Sequence, residues 1–130
     1  MKKYLNLFLI SLLVWGCNPK NVEPAGQFEI SSNQDKVLNN ITIQVIMAQD
    51  SRCNIPDAVC IWGGNATAKI IVKSNSSSQK QEIAFCTGSC AEANLKDSKV
   101  ATFTIDSKKY TLTLIEILRA NNGTVRLKIE

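Results

Sequence analysis

The chain has 130 residues and a formal net charge of +4, from 15 Lys and Arg against 11 Asp and Glu. This length is enough for one small domain with a single core, and it excludes a second domain. The basic residues are spread along the chain, so nothing in their distribution favours binding to nucleic acid. The chain contains no histidine, which removes the usual general base for catalysis at neutral pH.

The N-terminal residues have the pattern of a cleaved export signal. Two lysines at 2–3 provide a positive start, residues 4–14 are mainly apolar, and Gly16 is the small residue expected before a cut. The apolar stretch is shorter than the roughly 20 residues that span a membrane as a helix. With Cys17 next in the chain, V-W-G-C resembles the end of a bacterial lipoprotein signal peptide. That resemblance implies that Cys17 becomes the lipid-bearing first residue of the mature protein.

Lipidation of Cys17 would also account for an odd number of cysteines. The chain has 5 cysteines, and a fifth unpaired thiol in a secreted protein invites unwanted pairing. The alternative is an ordinary secretory signal, since Trp15 stands where lipoprotein signals usually carry a smaller residue. Residues 18–20 carry no acid, which favours an outer-membrane lipoprotein facing the periplasm. The predicted organisation is a signal peptide at 1–16, a lipidated cysteine and tether at 17–25, and a domain at 26–130.

The rest of the chain is typical of β-strands. Residues 41–48, 66–73 and 125–130 alternate between apolar and polar types with the period of a half-buried strand. In the first of these, the odd-numbered residues from Ile41 to Met47 are expected to face the core. In 110–118 the apolar phase changes near Leu114, which predicts a bulge. Shorter strands are expected at 27–30, 81–85 and 100–105.

Turn signals separate these segments. S-N-S-S-S at 74–78 predicts a flexible loop, D-S-K at 106–108 predicts a tight turn, and N-N-G at 121–123 predicts a hairpin. Residues 91–96 are the one segment with helical character. About seven strands at short spacing predict an all-β fold, namely an antiparallel β-sandwich of Ig-like or Greek-key type, or a partly open barrel.

Four cysteines remain after lipidation, and an even number in an oxidising compartment points to two disulfides. Three pairings are open from the sequence. We expect the two short-range pairs, because each spacing suits a loop that closes on itself and each pair lies between predicted strands. The predicted bonds are Cys53 with Cys60 and Cys86 with Cys90.

The competing hypothesis is a metal or redox site, since four thiolates can hold zinc or copper(I). The absence of histidine and the wide spacing of the cysteines count against a metal. No C-x-x-C pair is present to tune thiol reactivity, which counts against redox catalysis. We therefore expect no metal ligands and no cofactor.

The segment from Asp50 to Ala66, D-S-R-C-N-I-P-D-A-V-C-I-W-G-G-N-A, contains a recognisable motif. It resembles the D-S-R-C-P...C-V-W-A-G-x-A segment of small, uncharacterised bacterial lipoproteins and secreted proteins. The order of elements agrees from about Phe28 to the C-terminus, whereas the specific residues are confined to this loop. Pro56 and Gly63 depart from the usual pattern. The resemblance implies a fold and an envelope address, and it implies no catalytic residue.

Three side chains of this loop are candidates for a binding site: Asp50, Arg52 and Trp62. Arg52 beside Asp50 and Asp57 is expected to form an ion pair that organises the turn, and the alternative is a forked donor for an anionic ligand. Trp62 is expected to plug the core beneath a disulfide, and the alternative is a binding anchor.

The sequence favours a noncatalytic binding or structural module over an enzyme. No Ser-Lys or paired-carboxylate spacing replaces the missing histidine, so no catalytic residue is assigned. The expected module is tethered to the membrane by its lipid and presents disulfide-stapled loops to an envelope protein or polymer that the sequence does not identify. The alternatives are a protease-inhibitor-like domain, or metal or redox handling through the four cysteines.

Overall fold

The computed structural model describes residues 26–53, 56, 59–61, 63–119 and 123–130. Within these residues the fold is all-β, as predicted, and contains no helix long and apolar enough to cross a membrane. A 3-10 turn at Cys90–Ala93 overlaps the start of the segment predicted to have helical character, 91–96. The strands are β1 (Gln27–Ser31), β2 (Asp35–Leu38), β3 (Ile41–Asp50), β4 (Asn65–Ser74), β5 (Lys80–Gly88), β6 (Val100–Ile105), β7 (Lys108–Leu118) and β8 (Thr124–Ile129).

The strands form two antiparallel sheets of four, which confirms the predicted β-sandwich. One sheet has the order β1-β8-β7-β6 and the other β2-β3-β4-β5. Every hydrogen-bonded neighbour except the pair β1 and β8 is consecutive in the chain, so the connectivity is a meander. The expected Ig-like or Greek-key connectivity is wrong, because it requires strands that skip a neighbour. The chain crosses between sheets after β1 and after β5, and the described strands do not close into a barrel.

The core lies between the inner faces of the two sheets. Alternate residues of each strand point inward, as the period of two requires, and large aliphatic and aromatic side chains fill the space. At about 25 cal/mol per Å² of apolar surface removed from water, this layer is the main source of stability. Its buried members are Phe28, Ile30, Ile41, Ile43, Val45, Ala66, Ala68, Ile70, Val72, Ile83, Phe85, Phe103, Ile105, Leu112, Leu114, Ile117, Val125 and Leu127.

A bulge in β3 inverts the faces of its second half. Val45 pairs with Ile70 and Met47 pairs with Lys69, which leaves Ile46 as the extra residue. The prediction that Met47 faces the core is therefore wrong, and this side chain is 39% exposed. The same inversion turns Asp50 inward, so that its side chain is only 2% exposed.

The bulge predicted in β7 is confirmed. Leu114 pairs with Leu127 and Glu116 pairs with Arg126, so Ile115 is the extra residue. Leu114 and Ile117 are both buried as a result, although they are three residues apart. The bulge thus returns Ile117, near the C-terminal end of β7, to the core side two residues before Arg119.

The turns agree in part with the sequence predictions. Asp106 and Ser107 both have positive φ, at 49° and 62°, and form the predicted tight turn. The serine loop at 74–78, predicted to be flexible, is tied to this turn. Its hydroxyls donate to the Asp106 carboxylate from Ser74, Ser76 and Ser77. Asn121 and Asn122 of the predicted hairpin lie outside the described residues.

The meander sorts the loops between the two ends of the sandwich. The β3–β4 and β5–β6 loops lie together at the end we call the disulfide end, where the Ser89 amide donates to the Gly64 carbonyl at 2.9 Å. The opposite end, called here the Gly26 end, holds the β4–β5 loop and the first described residue. There the Ile129 amide donates to the Gly26 carbonyl at 2.8 Å.

Candidate functional site

Two disulfides shape the disulfide end, and both pairs are those predicted. Cys53 bonds Cys60 with a Cα–Cα distance of 6.2 Å, and Cys86 bonds Cys90 with a distance of 5.8 Å. The two bonds differ in their surroundings. Cys53 and Cys60 are exposed and shape a surface loop, whereas Cys86 and Cys90 are buried at the end of β5.

The loop that carries the first disulfide packs closely on its own base. The Ser51 amide donates to the Asn65 carbonyl at 2.8 Å, and the Cys53 amide donates to the Gly63 carbonyl at 3.2 Å. Gly64 has a φ of +65°, and a Cβ atom at this position would lie 2.2 Å from the Ser51 carbonyl oxygen. Only glycine allows the two backbone segments to approach this closely. The two ends of the loop, where the chain leaves β3 and enters β4, are therefore held together in a fixed geometry.

Two arginines bind the inward-facing carboxylate of Asp50. Arg52 donates from Nε and Nη2 to the two carboxylate oxygens at 3.0 and 2.7 Å, and its backbone amide adds a contact of 3.1 Å. Arg119 donates from Nε and Nη2 at 2.8 and 3.1 Å. Each guanidinium group thus donates two charge-assisted hydrogen bonds to the carboxylate, and these bonds offset the cost of its burial.

The electrostatics follow from this geometry. The side-chain hydrogen bond from Arg52 holds the pKa of Asp50 well below its usual range, the contact from Arg119 adds to this, and burial opposes it in part. The hydrogen bond to Asp50 likewise raises the pKa of Arg52. Asp50 is consequently ionised throughout the neutral range and has no lone pair available to accept a proton from a substrate.

Arg119 connects two loops that are distant in sequence. Its Nη2 also donates to the carbonyl oxygen of Arg52 at 3.0 Å, which ties the end of β7 to the β3–β4 loop. The predicted ion pair of Arg52 with Asp50 is present, while Arg119 was not anticipated. Sequence reasoning missed it because it lies 69 residues from Asp50 and follows a strand with no motif of its own.

An open cleft of about 490 Å³ lies over this cluster. The side chains of Arg52 and Arg119 are 39% and 38% exposed, so part of each remains accessible to solvent. Glu116, a second acid on the wall, is engaged by Arg126 Nη1 at 3.0 Å. We call this cleft the arginine cleft, and it is lined by Asp50, Arg52, Cys53, Glu116, Ile117, Leu118 and Arg119.

The disulfide-stapled loop also exposes two apolar side chains to solvent. Val59 and Ile61, on either side of Cys60, are 97% and 100% exposed. Neither side chain lines the arginine cleft, but Cys60, which lies between them in the chain, is bonded to Cys53 on the cleft wall. Asp57 and Trp62 belong to the same loop but lie outside the described residues, as does Cys17.

The described part of the chain contains no cluster of three or more His, Cys, Asp or Glu side chains arranged to hold a metal ion. The sulfur atoms of the four paired cysteines are engaged in disulfides, and a sulfur in a disulfide is not a thiolate ligand. The donors that the arginine cleft does offer are guanidinium groups. Its chemistry is therefore suited to the recognition of anions.

Comparisons of the chain with protein-family models, with curated proteins and with solved structures found no match. The resemblance of the Asp50 loop to the D-S-R-C segment of envelope proteins thus stays a prediction. The function is inferred from the site and from the position of the site in the fold.

Proposed function

We propose that the protein is an envelope lipoprotein, anchored by lipid at Cys17, and that its sandwich is a noncatalytic binding module. The module presents its disulfide-stapled loops to a partner protein or polymer in the envelope. One observation carries this proposal: Gly26, the first described residue, lies at the end of the sandwich opposite the two disulfides.

The path of β1 and β8 supports this orientation. β1 runs from Gln27, paired with Lys128, to Ser31, paired with Thr124 at the disulfide end. A tether of eight residues, 18–25, reaches at most about 28 Å when extended. A lipid on Cys17 would therefore hold the Gly26 end towards the membrane and direct the disulfide end away from it.

The chemistry of the disulfide end supports binding over catalysis. Asp50 is engaged by two arginines and its pKa is held far below neutral, so it is unsuited to act as a general base. The stapled loop exposes Val59 and Ile61 completely, on a base fixed by Gly64. Rigid loops that carry exposed side chains lose little conformational entropy on binding a partner.

The same loop supports a second candidate, a protease-inhibitor-like domain. Val59 and Ile61 are exposed on either side of a disulfide-bonded cysteine, and exposed apolar side chains on a stapled loop are suited to enter the cleft of an enzyme. In this version the partner would be a protease, and the loop would occupy its active site. The two candidates differ in the identity of the partner and share the same contact surface.

The test combines lipid labelling with site-specific crosslinking in cells. An alkyne-bearing fatty acid should label the wild-type chain and should fail to label Cys17→Ser. A photo-crosslinking amino acid at Ile61 should form a discrete adduct with an envelope component, whereas the same amino acid at Ser78 should not. Ser78 is the matched control because it is an exposed loop residue at the Gly26 end.

Labelling that persists in Cys17→Ser would overturn the anchor. Equal adducts from both positions, or none from Ile61, would overturn the presentation of the stapled loop. An adduct with the active site of a protease would select the inhibitor version.

A further inference from the structure

We propose that the arginine cleft binds a single carboxylate group that lies next to an apolar side chain, and that this is the feature of the partner that the disulfide end recognises. The inference rests on the proposed function, because it gives the chemistry of the partner at that same end. Three observations carry it: the free donors of the two arginines, the charge of the cleft, and the apolar loop beside it.

The two guanidinium groups are fixed in place with donors to spare. Arg52 and Arg119 each use Nε and Nη2 to bind Asp50, and Arg119 also uses Nη2 to bind the Arg52 carbonyl. Within the described ranges, Nη1 of neither arginine has a hydrogen-bond partner. Because Asp50 holds both side chains rigid, a ligand would not have to order them on binding.

The charge of the arginine pair favours a monoanion over a dianion. Two guanidinium groups share the single carboxylate of Asp50, which leaves one unit of positive charge among these three side chains. Glu116 also lines the cleft, and Arg126 divides its charge between Glu116 and Glu29. A carboxylate would match the charge of the arginine pair, whereas a phosphate dianion would exceed it and would be repelled more strongly by Glu116.

The apolar requirement comes from the loop on the cleft wall. Cys53 lines the cleft, and its disulfide holds Cys60 with the exposed side chains of Val59 and Ile61. An apolar group beside the bound carboxylate would cover apolar surface of this loop and remove it from water. A peptide that carries a carboxylate next to a leucine-like side chain has both features.

The experiment uses the full lipidated protein in phosphatidylcholine nanodiscs and observes small probes by fluorine NMR. The probes are N-trifluoroacetyl-leucine, its uncharged amide N-trifluoroacetyl-leucinamide, and inorganic phosphate as a competitor. We expect the acid to bind at least about tenfold more tightly than the amide, since a charge-assisted hydrogen bond contributes about 1.5 to 3 kcal/mol. Phosphate should displace the acid only at a concentration above that of the acid itself.

Two variants with the same change of charge provide the control. Arg119→Gln should weaken binding of the acid about tenfold, and it leaves Asp50 paired with Arg52. Lys73→Gln removes one positive charge at an exposed site near the Gly26 end of β4, and it should bind the acid as the wild type does.

Equal binding of the acid and the amide, or wild-type binding by Arg119→Gln, would overturn the carboxylate site. Tighter binding of phosphate than of the acid would reassign the cleft to phosphate and overturn the proposal as stated. These outcomes are separable from failure of the proposed function. If the crosslink at Ile61 forms and the acid does not bind, the partner contact holds and the carboxylate chemistry fails; a missing crosslink would remove the proposed function itself.

Discussion

At the scale of single residues, Asp50 organises the disulfide end. Its carboxylate is buried and accepts paired hydrogen bonds from both Arg52 and Arg119. Removing its charge therefore deprives the two guanidinium groups of the counterion that they share. We expect Asp50→Asn to lower the free energy of unfolding by about 3 kcal/mol at neutral pH, the cost of breaking a buried ion pair. Urea denaturation of the variant beside the wild type measures the difference.

The pH dependence of this difference follows from the lowered pKa of Asp50. The pKa in the folded state lies below the value of about 3.9 for an unfolded chain, so the unfolded state binds the proton more readily. The stabilisation from Asp50 is therefore fully present above pH 4 and declines as the pH falls towards the folded-state pKa. The difference in the free energy of unfolding between the wild type and Asp50→Asn should therefore become smaller as the pH is lowered. A difference that stays constant from pH 7 to pH 3 would refute the role of the Asp50 charge.

At the scale of elements, the two disulfides are predicted to have different roles. The chain-entropy estimate assigns about 2.5 kcal/mol to the loop of the Cys53–Cys60 bond and about 2 kcal/mol to that of Cys86–Cys90. Burial reverses the order of the two contributions to stability. Cys86 and Cys90 are almost fully buried, and truncation of each leaves a cavity that costs roughly 1 kcal/mol. We therefore expect Cys86→Ala/Cys90→Ala to lower the melting temperature more than Cys53→Ala/Cys60→Ala.

The exposed pair should instead affect binding. Loss of the Cys53–Cys60 bond frees the loop that carries Val59 and Ile61, so the double variant should weaken binding of N-trifluoroacetyl-leucine while the sandwich stays folded. Thermal denaturation followed by circular dichroism gives the order of stability. A larger loss of stability from the exposed pair would contradict the assignment.

The elements also show why the sequence predicted most of the fold and only part of the site. Alternation of apolar and polar residues predicted seven of the strands. It did not predict β2 at Asp35–Leu38, because this edge strand has no buried face and its Val37 is 65% exposed. The phase of Met47 was wrong because Ile46 and Met47 are both apolar, and either residue fits a strand face until the pairing with β4 is known.

The site was incomplete in the sequence for a similar reason. Asp50 and Arg52 are two positions apart, and their pairing is a local property of the loop. Arg119 joins them only because the bulges in β3 and β7 turn both strand ends to the same place, and bulges are a consequence of pairing between strands. A long-range ion pair of this kind has no signature in a single sequence.

At the scale of the whole molecule, the meander separates Gly26, the first described residue, from the end of the sandwich that is proposed to bind a partner. β4 spans ten residues, so Ser78 beside its C-terminal end and Ile61 before its N-terminal end are separated by roughly 33 Å along the strand direction. The proposed lipid at Cys17 joins the Gly26 end through a tether of about 28 Å at most. The disulfide end should therefore stay farther from the bilayer than the opposite loops in any orientation that the tether favours.

Resonance energy transfer to a labelled lipid measures this asymmetry. A donor fluorophore on an unnatural amino acid at Ser78 should transfer more efficiently to an acceptor in the bilayer than the same donor at Ile61, with the lipidated protein reconstituted in vesicles. Both positions are exposed, so the comparison depends on distance rather than on local quenching. The unlipidated Cys17→Ser chain should show transfer from neither position. Equal or reversed transfer in the lipidated protein would mean that the sandwich lies on the membrane, and its stapled loops would then face lipid instead of a partner.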